Sequence, residues 1–295
     1  MVHVPVLVNE VLKYLNPKPG ENFVDCTFGE GGHTRKILEK NAPGKVLGIE
    51  IDPQLYKELI NLGLNTEILG IERLILVNDS FVNLKRIVEE NLTRVSGILF
   101  DLGLSSWHLE KSGRGFSFSK NEPLNMRYCP SDLTAEKILN EWPKSELEKI
   151  LKKYGEERFA RKISEEIVRA RKLKSIKTTF DLIEIVRRAT PSWYHHKRIH
   201  FATKTFQALR IVVNDELENL KKALPQALEV LDKGGRLVVI SFHSLEDRIV
   251  KNFFREKEKE QLLKILTKKP VRPSREEIVQ NPRSRSARLR AAEKL

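Results

Sequence analysis

The chain has 295 residues, a length typical of about two domains, and its 40% apolar fraction is enough to form a sizeable core. Its formal charge of +13 favours polyanionic partners, through an attraction that salt weakens. The N-terminal stretch MVHVPVLVNE lacks the basic segment and the long apolar segment of a signal peptide. No apolar run approaches the length of about 18 residues that a bilayer span needs. We therefore expect a cytoplasmic protein without a signal peptide or membrane contact.

Short apolar runs alternate with amphipathic stretches at the start of the chain. The runs predict strands at Asn22–Cys26, Lys45–Ile51, Arg73–Asn78 and Gly97–Asp101. The amphipathic stretches predict helices at Thr34–Lys40, Gln54–Leu62 and Val82–Glu90. Strands that alternate with helices indicate a parallel sheet with right-handed crossovers, which is an α/β, Rossmann-like fold.

The middle of the chain has a different pattern. No convincing buried strand occurs between Ser106 and Ile211. Apolar residues recur at helical spacing from Ala135 to Trp142 and from Leu147 to Tyr154, with Ser145 and Glu148 predicting a capping box, and a further helix is expected over 180–189. We therefore expect an inserted all-helical domain at 108–211, within an α/β domain formed by 1–107 and 212–295.

The sheet pattern returns in the last part of the chain. Phe206–Leu231 predicts a helical region that Pro225 kinks or divides into two helices. A Gly234-Gly235 turn leads into a fifth strand, Arg236–Phe242, and the charged stretch Lys251–Lys269 predicts a solvated helix. Ser286–Glu293 is expected to be a late strand that pairs antiparallel at the sheet edge.

The two cysteines and the acidic residues give no sign of a metal site. Cys26 and Cys129 are not spaced as a zinc site or a disulfide framework, so we expect two buried, reduced thiols. The sequence shows no cluster of metal ligands, and it leaves the oligomeric state open.

The turn DCTFGEGGHT, from Asp25 to Thr34, follows the first predicted strand, where ligands bind in open α/β sheets. It lacks the lysine of a P-loop, and Thr34 occupies the third glycine position of the dinucleotide fingerprint. An acid before the turn would also repel a phosphate. S-adenosylmethionine fits better, since the glycines allow close approach, the helix N-terminus can receive its carboxylate, and the acid can favour its ammonium.

Polar and aromatic residues after the next two strands fit the rest of this cofactor. Glu50 ends the second strand and can accept hydrogen bonds from ribose hydroxyls. Phe81 could stack on adenine, and Asp79 could face its amino group. Structural roles remain open from these residues alone: a glycine-rich turn is common, Phe81 could be a core residue, and Glu50 could cap a helix.

The fourth predicted strand ends in DLGLSS, which begins at Asp101. In methyltransferase folds the end of this strand faces the transferred methyl. An acceptor there can hold one N–H of an exocyclic amine and direct its lone pair at the methyl carbon, so that alignment is the main catalytic contribution.

Blocks along nearly the whole chain resemble the bacterial small-subunit ribosomal RNA cytosine-N4 methyltransferases. They are HVPVL (3–7), DCTFGEGGH (25–33), DLGLSS (101–106), RGFSF (114–118), YGEERFARKI (154–163), RIHFATKTFQALRIVVNDEL (198–217), GGRLVVISFHSLEDRIVK (234–251) and NPRSRSARLRAAE (281–293). The resemblance implies a Rossmann-like methyltransferase domain with an inserted helical domain that recognises RNA. It further implies S-adenosylmethionine as donor, and 16S rRNA or the small ribosomal subunit as partner, methylated on a cytidine amine in the decoding region.

The same resemblance implies the site residues. The cofactor contacts carry over to Gly31, Gly32, His33, Glu50, Phe81, Asp101 and His108. Asp101 would also be the catalytic residue. The chain departs from the family pattern in two places: Asn125 stands where an aspartate is expected, and His108 where a glutamine is common.

Three features outside these contacts were open to either a structural or a functional interpretation. His243 follows the fifth strand and could serve the active site or be held by Glu246 or Asp247. The basic, aromatic stretch at 191–204 could meet RNA or be an ordinary loop. The tail arginines 283, 285, 288 and 290 would be divided between two faces if they all lay on one strand.

Two other functions fit the residues less well. One is a methyltransferase that acts on a protein, and the other is an RNA-binding module with a vestigial cofactor site. Labelled-methyl transfer distinguishes the first alternative, and thermal stabilisation by S-adenosylhomocysteine distinguishes the second.

Overall fold

The computed structural model describes residues 5–62 and 71–295, so His3 and Val4 of HVPVL lie outside the described residues. The chain divides into two compact units. One unit comprises Met1–Ser105 and Leu217–Leu295, and the other comprises Ser106–Glu216. None of the described helices is long and apolar enough to span a bilayer.

One sheet of seven strands organises the first unit in the described part of the chain. The strands are β1 (Phe23–Asp25), β2 (Val46–Glu50), β3 (Leu74–Asn78), β4 (Gly97–Asp101), β5 (Arg236–Ser241), β6 (Leu263–Ile265) and β7 (Arg288–Lys294). Their order is β3-β2-β1-β4-β5-β7-β6, in which β1 to β5 pair in parallel and β7 pairs antiparallel with both of its neighbours. This is the predicted Rossmann-like arrangement.

The helices fall into three groups along the chain. The first group is α1 (Val8–Leu15), α2 (Gly32–Asn41), α3 (Pro53–Asn61) and α4 (Leu84–Asn91). The second is α5 (Ser106–Glu110), α6 (Ala135–Glu141), α7 (Lys144–Lys153), α8 (Ala160–Arg171), α9 (Thr179–Ala189), α10 (Ser192–His195) and α11 (Thr203–Asn214). The third is α12 (Glu216–Val230), α13 (Ser244–Lys259) and α14 (Arg275–Gln280).

Both faces of the sheet are covered by apolar side chains. Because successive strand residues point to opposite faces, Val24 and Ile98 belong to a cluster with residues of α4, α12 and α13. Phe23 and Leu99, their neighbours along β1 and β4, belong to a second cluster with residues of α1 and α2. Burial on both faces explains why these strands are continuous apolar runs in the sequence.

The first four strands and their helices occur where the sequence predicts them, within one or two residues at each end. The capping box predicted at Ser145 is wrong. Helix α7 begins at Lys144 with Pro143 as its cap residue, so Ser145 already lies in the first helical turn. The region predicted at 206–231 forms two helices, but the division predicted at Pro225 is wrong: the break lies at Asp215, in the left-handed conformation (φ 50°), and Pro225 lies inside α12.

The C-terminal predictions need two corrections. The stretch Lys251–Lys269, predicted as one helix, contains the short strand β6. The charged residues around this strand gave it the pattern of a solvated helix. The late strand β7 is antiparallel as predicted, but it lies between β5 and β6 and not at the sheet edge. Cys26 is buried as expected, whereas Cys129 is exposed.

Candidate active site

The candidate residues of the first unit follow neighbouring parallel strands. Strand β1 lies between β2 and β4, and the chain order reverses on either side of it. Glu50 ends β2, Asp25 ends β1 and Asp101 ends β4, so the three carboxylates lie at the same edge of the sheet. A reversal of strand order is where open α/β sheets form their ligand crevice.

The turn after β1 is held by its two neighbouring strands. The Cys26 amide donates to the Leu99 carbonyl at 2.9 Å, and the Phe28 amide donates to the Ile49 carbonyl at 2.9 Å. Gly31 then caps α2 in the left-handed conformation, with φ at 75° and no side-chain hydrogen bond to the first helical turn. The amides of that turn therefore remain available to an anionic group.

Packing of the chain itself restricts two of the three glycines in the turn. A Cβ at Gly31 would approach the Phe28 ring to 2.8 Å, and a Cβ at Gly32 would approach Pro5 to 3.3 Å. Close ligand approach, the reason considered from the sequence, is therefore not needed to explain these two glycines. Gly29, also at positive φ (54°), has only ordinary contacts near its Cβ position.

Both carboxylate oxygens of Asp25 accept hydrogen bonds from threonines of the turn. Its Oδ1 accepts from the Thr27 amide at 3.2 Å and its Oδ2 accepts from the Thr34 hydroxyl at 2.8 Å, with the side chain 1% exposed. Burial raises the pKa of Asp25, although His33 and these two hydrogen bonds oppose the shift. Asp25 would therefore affect a cationic ligand through electrostatic attraction.

His33 and Asp101 form a charged contact between the turn and β4. His33 Nε2 lies 3.4 Å from Asp101 Oδ2, and the Asp101 amide donates to the Thr27 hydroxyl at 2.7 Å. Burial lowers the pKa of His33, but the carboxylates of Asp101, Asp25 and Glu277 together outweigh it and raise that pKa above its ordinary value. The imidazole is thereby favoured in its charged form.

Several polar atoms of this pair are left for a ligand. Among the described residues, both ring nitrogens of His33 and Asp101 Oδ1 are buried and have no hydrogen-bond partner, so the 3.4 Å contact between His33 and Asp101 is a charge contact and not a hydrogen bond. A buried polar atom without a partner costs on the order of 1–3 kcal/mol, so such atoms mark places where a bound group supplies the missing contact.

Glu50 is buried and bonded to backbone amides on both sides. Its Oε2 accepts from the Gly29 amide at 3.0 Å and its Oε1 from the Asp52 amide at 2.8 Å. Burial raises the pKa of Glu50 to about 8, although both amides favour the carboxylate. Asp52, and not Glu50, caps helix α3. Since each carboxylate oxygen has two lone pairs, Glu50 can still accept from a ligand.

Phe81 and Asp79 both follow β3, but Phe81 packs against another aromatic ring and Asp79 is hydrogen-bonded and ion-paired. The Phe81 ring packs edge-on against Phe100 at 5.6 Å and is partly buried. Asp79 Oδ1 accepts from the Ser80 amide at 2.6 Å, and Oδ2 is paired with Arg86. An adenine amino group at Asp79 would have to share this carboxylate with Arg86, a residue that sequence reasoning did not connect to the site.

His108 belongs to the second unit. It lies in α5, is 5% exposed and contacts the rings of Trp107, Phe116 and Tyr128 edge-on at 5.1–5.4 Å. Asn125, also in this unit, accepts from the Arg127 amide and side chain through Oδ1. Its amide group therefore stabilises a local turn.

His243 is held by Glu246, as the structural one of its two interpretations requires. It caps α13, where its Nδ1 accepts from the Glu246 amide and the Glu246 carboxylate accepts from the His243 amide. This reciprocal cap uses Nδ1 of His243 and Oε2 of Glu246, while His243 Nε2 lies 3.2 Å from Glu246 Oε1 and has no hydrogen-bond partner among the described residues. Of the four tail arginines, Arg283 and Arg285 precede β7 in a short 3₁₀ helix, so alternation along one strand does not apply to the whole set.

Sequence reasoning missed the two threonines that assemble the site. Thr27 joins the turn to Asp101, and Thr34 joins α2 to Asp25. The available signal was their position inside DCTFGEGGHT, one on each side of the glycines. Asp25 and Asp101 place two carboxyl groups around one imidazole, an arrangement that disfavours a phosphate and favours a cationic ligand.

Comparison with known proteins identifies the family. Residues 1–295 match the family model described as the MraW methylase family. Three similar proteins are named ribosomal RNA small subunit methyltransferase H. The one from Thermotoga neapolitana is 48% identical over 99% of this chain and 95% of its own length. Those from Thermosipho melanesiensis and Heliobacterium modesticaldum are each 46% identical over 99% of this chain and 98% of their own length. The family and the cofactor predicted from the sequence are confirmed: the chain belongs to the MraW methylase family of S-adenosylmethionine-dependent methyltransferases.

Proposed function

We propose that this protein transfers a methyl group to the N4 amine of a cytidine in the decoding region of 16S rRNA. The names of its relatives support ribosomal RNA of the small subunit as substrate, and the charge of +13 suits a polyanionic partner. The observation that carries the proposal is the His33–Asp101 pair at the end of β4, with Asp101 Oδ1 buried and without a partner among the described residues.

The residues of the first unit fit the cofactor. The first-turn amides of α2, which no side chain caps, would receive its carboxylate, and Glu50 would accept from its ribose hydroxyls. Phe81 would contact the adenine, and the carboxyl groups of Asp25 and Asp101 suit the ammonium and the sulfonium. When bound, S-adenosylmethionine supplies an electrophilic methyl group. We further propose that Gly31, Gly32 and His108 contribute to this site.

Asp101 is the proposed catalytic residue. Its Oδ1 would accept one N–H of the cytosine amine, which favours a pyramidal nitrogen with its lone pair directed at the methyl carbon. His33 is the proposed positioning residue, because its Nε2 lies 3.4 Å from Oδ2 and the other oxygen, Oδ1, is left for the substrate. The hydrogen bond from the Asp101 amide to Thr27 holds the backbone of the same residue.

The second unit is the proposed recognition domain. The target base has to leave its stack before its amine can reach a methyl group, so unpaired nucleotides must be held. Trp193 is 48% exposed, with the Arg158 guanidinium and the Lys197 ammonium each 4.9 Å from its ring. An exposed aromatic ring beside two cations suits base stacking and phosphate contacts.

Methyl transfer to small subunits tests the proposed function. Subunits from cells that lack this protein are incubated with the enzyme and labelled S-adenosylmethionine, and the 16S rRNA is digested to nucleosides for mass spectrometry. We expect one labelled N4-methylcytidine per subunit. Label on another atom or another base would contradict the N4 assignment, label in ribosomal protein would support the protein alternative, and no label without stabilisation by S-adenosylhomocysteine would support a vestigial site.

A further inference from the structure

A basic cavity lies between α13 and the paired strands β6 and β7, and none of the candidate active-site residues lines it. Its volume is about 230 Å³. Lys251 and Arg255 of α13, Lys268 after β6 and Arg290 of β7 line it, together with the buried ring of Phe254. The first unit thus has a concave surface with cations around an apolar floor.

The charge of this cavity is not neutralised by its neighbours. Arg290 is 7% exposed and forms two hydrogen bonds with Asp247, so this pair is neutral and part of the framework. Within residues 5–62 and 71–295, Lys251, Arg255 and Lys268 form no ion pair. Three cations therefore face one acidic lining residue, Glu258, whose carboxylate accepts from the Ile265 amide.

The sheet relates this cavity to Asp101. Strands β5 and β6 are both antiparallel to β7, so β6 runs in the same direction as β4 and β5. The amides of Leu266 and Thr267 donate to the Ala291 carbonyl and Val271 pairs with Leu289, so Lys268 lies near Arg290 along β7. Arg290 is in register with Val239 and, through it, with Phe100, one residue before Asp101. Three strand spacings separate β4 from β6, which at about 4.8 Å each give about 14 Å.

We propose that Lys251, Arg255 and Lys268 bind a backbone phosphate of the RNA strand whose target base reaches Asp101; this inference rests on the proposed function. A lateral distance of about 14 Å corresponds to roughly four stacked nucleotides, or fewer in an extended strand. The flexible ammonium groups of the two lysines suit a backbone contact that positions the strand without selecting its sequence. The site would thus hold RNA close to the flipped nucleotide.

A matched pair of triple variants tests this site. K251Q/R255Q/K268Q removes three charges from the cavity. K18Q/K45Q/K233Q removes three exposed cations that precede β1, β2 and β5, at the opposite edge of the same sheet. Both variants are assayed with small subunits, for KM and kcat at several salt concentrations, and for their thermal stabilisation by S-adenosylhomocysteine.

We expect the cavity variant to raise KM for the subunit about tenfold or more, to leave kcat within about twofold, and to reduce the salt slope of binding by about 1. The control variant should change KM less than threefold. Equal increases in both variants would overturn the inference, since they would indicate diffuse attraction.

Two further results separate the possible failures. If the wild-type protein methylates no RNA, the proposed function and this inference both fall. If it methylates RNA normally and the cavity variant matches the wild type, only this inference falls. Should the triple variant lose its stabilisation by S-adenosylhomocysteine, the single charge reversal Lys268→Glu at an exposed position provides the same KM comparison.

Discussion

The Nε2 atom of His33 lies 3.4 Å from Oδ2 of Asp101, and this contact joins the first turn of α2 to the C-terminal end of β4. One residue comes from the glycine-rich turn and the other from the strand that ends in DLGLSS. The proposed cofactor-binding turn and the proposed catalytic carboxylate are therefore directly coupled. A change at either residue is expected to affect the orientation of the other.

Replacing the Asp101 carboxylate by an amide tests its catalytic role. Asp101→Asn should lower kcat by about 10²–10³-fold, because one hydrogen bond that aligns the amine in the transition state is lost. Stabilisation by S-adenosylhomocysteine should persist. Asp232→Asn, in the turn before β5, is the control and should leave kcat unchanged. Near-normal turnover of Asp101→Asn would remove Asp101 from catalysis.

The stability contributed by His33 should depend on pH. Its pKa is raised in the folded protein, so the contribution is complete below the unfolded value of about 6.5 and is lost as pH rises through the folded value. The groups that act on it are Asp101, Asp25 and Glu277. Chemical denaturation of the wild type and His33→Gln should differ by about 1–3 kcal/mol more at pH 5.5 than at pH 9. A difference that is constant with pH would contradict this charged pair.

Cofactor affinity should increase as Glu50 loses its proton. The pKa of Glu50 is about 8, and ribose hydroxyls would donate to the carboxylate form, so binding should release a proton below that pH. The Kd for S-adenosylhomocysteine, measured by calorimetry, should fall by up to about tenfold per pH unit below 8 and level off above it. Glu50→Gln should bind more weakly and without this pH component. A wild-type pH dependence retained in Glu50→Gln would assign it to another group.

Gly31 and Gly234 have nearly equal φ, so a comparison of their alanine variants distinguishes backbone strain from steric overlap with a neighbouring side chain. Gly31 has φ at 75° and a Phe28 ring atom at 2.8 Å from its Cβ position, whereas Gly234 has φ at 79° and nothing within 4 Å. Gly234→Ala should reduce the free energy of unfolding by about 1–2 kcal/mol through strain alone. Gly31→Ala should cost about 1–3 kcal/mol more, because the ring must move. Equal losses in urea unfolding would show that Phe28 adapts freely.

Trp193 provides a test of RNA binding by the second unit. Trp193→Ala should weaken RNA binding by about 1–3 kcal/mol, the usual contribution of a stacked base, and Trp193→Phe should retain most of the affinity. Leu173→Ala changes another exposed apolar residue of the same unit, 86% exposed, and should have little effect. Filter binding with an unpaired decoding-region fragment measures all three. Similar losses for Trp193→Ala and Leu173→Ala would argue against a stacking role.

Much of the fold could be predicted from local patterns. Apolar runs such as Gly97–Asp101 are buried on both faces of the sheet, so their strand character is visible without neighbours. Strand β6 was not predictable in the same way, because Leu263–Ile265 is a three-residue strand that pairing with β7 stabilises. The position of β7 inside the sheet depends on the same pairing.

Periodicity and short motifs are enough to predict the alternating α/β order, the turn after β1 and the acids that end β2 and β4. Which atoms of those residues already have hydrogen-bond partners is visible only in the folded chain. Asp25 is bonded within the turn, Asp79 is paired with Arg86, and Asp101 keeps a buried oxygen without a partner in the described part of the chain. The reason is physical: hydrogen bonds and burial depend on groups from strands far apart in the chain, which parallel pairing brings to one edge of the sheet.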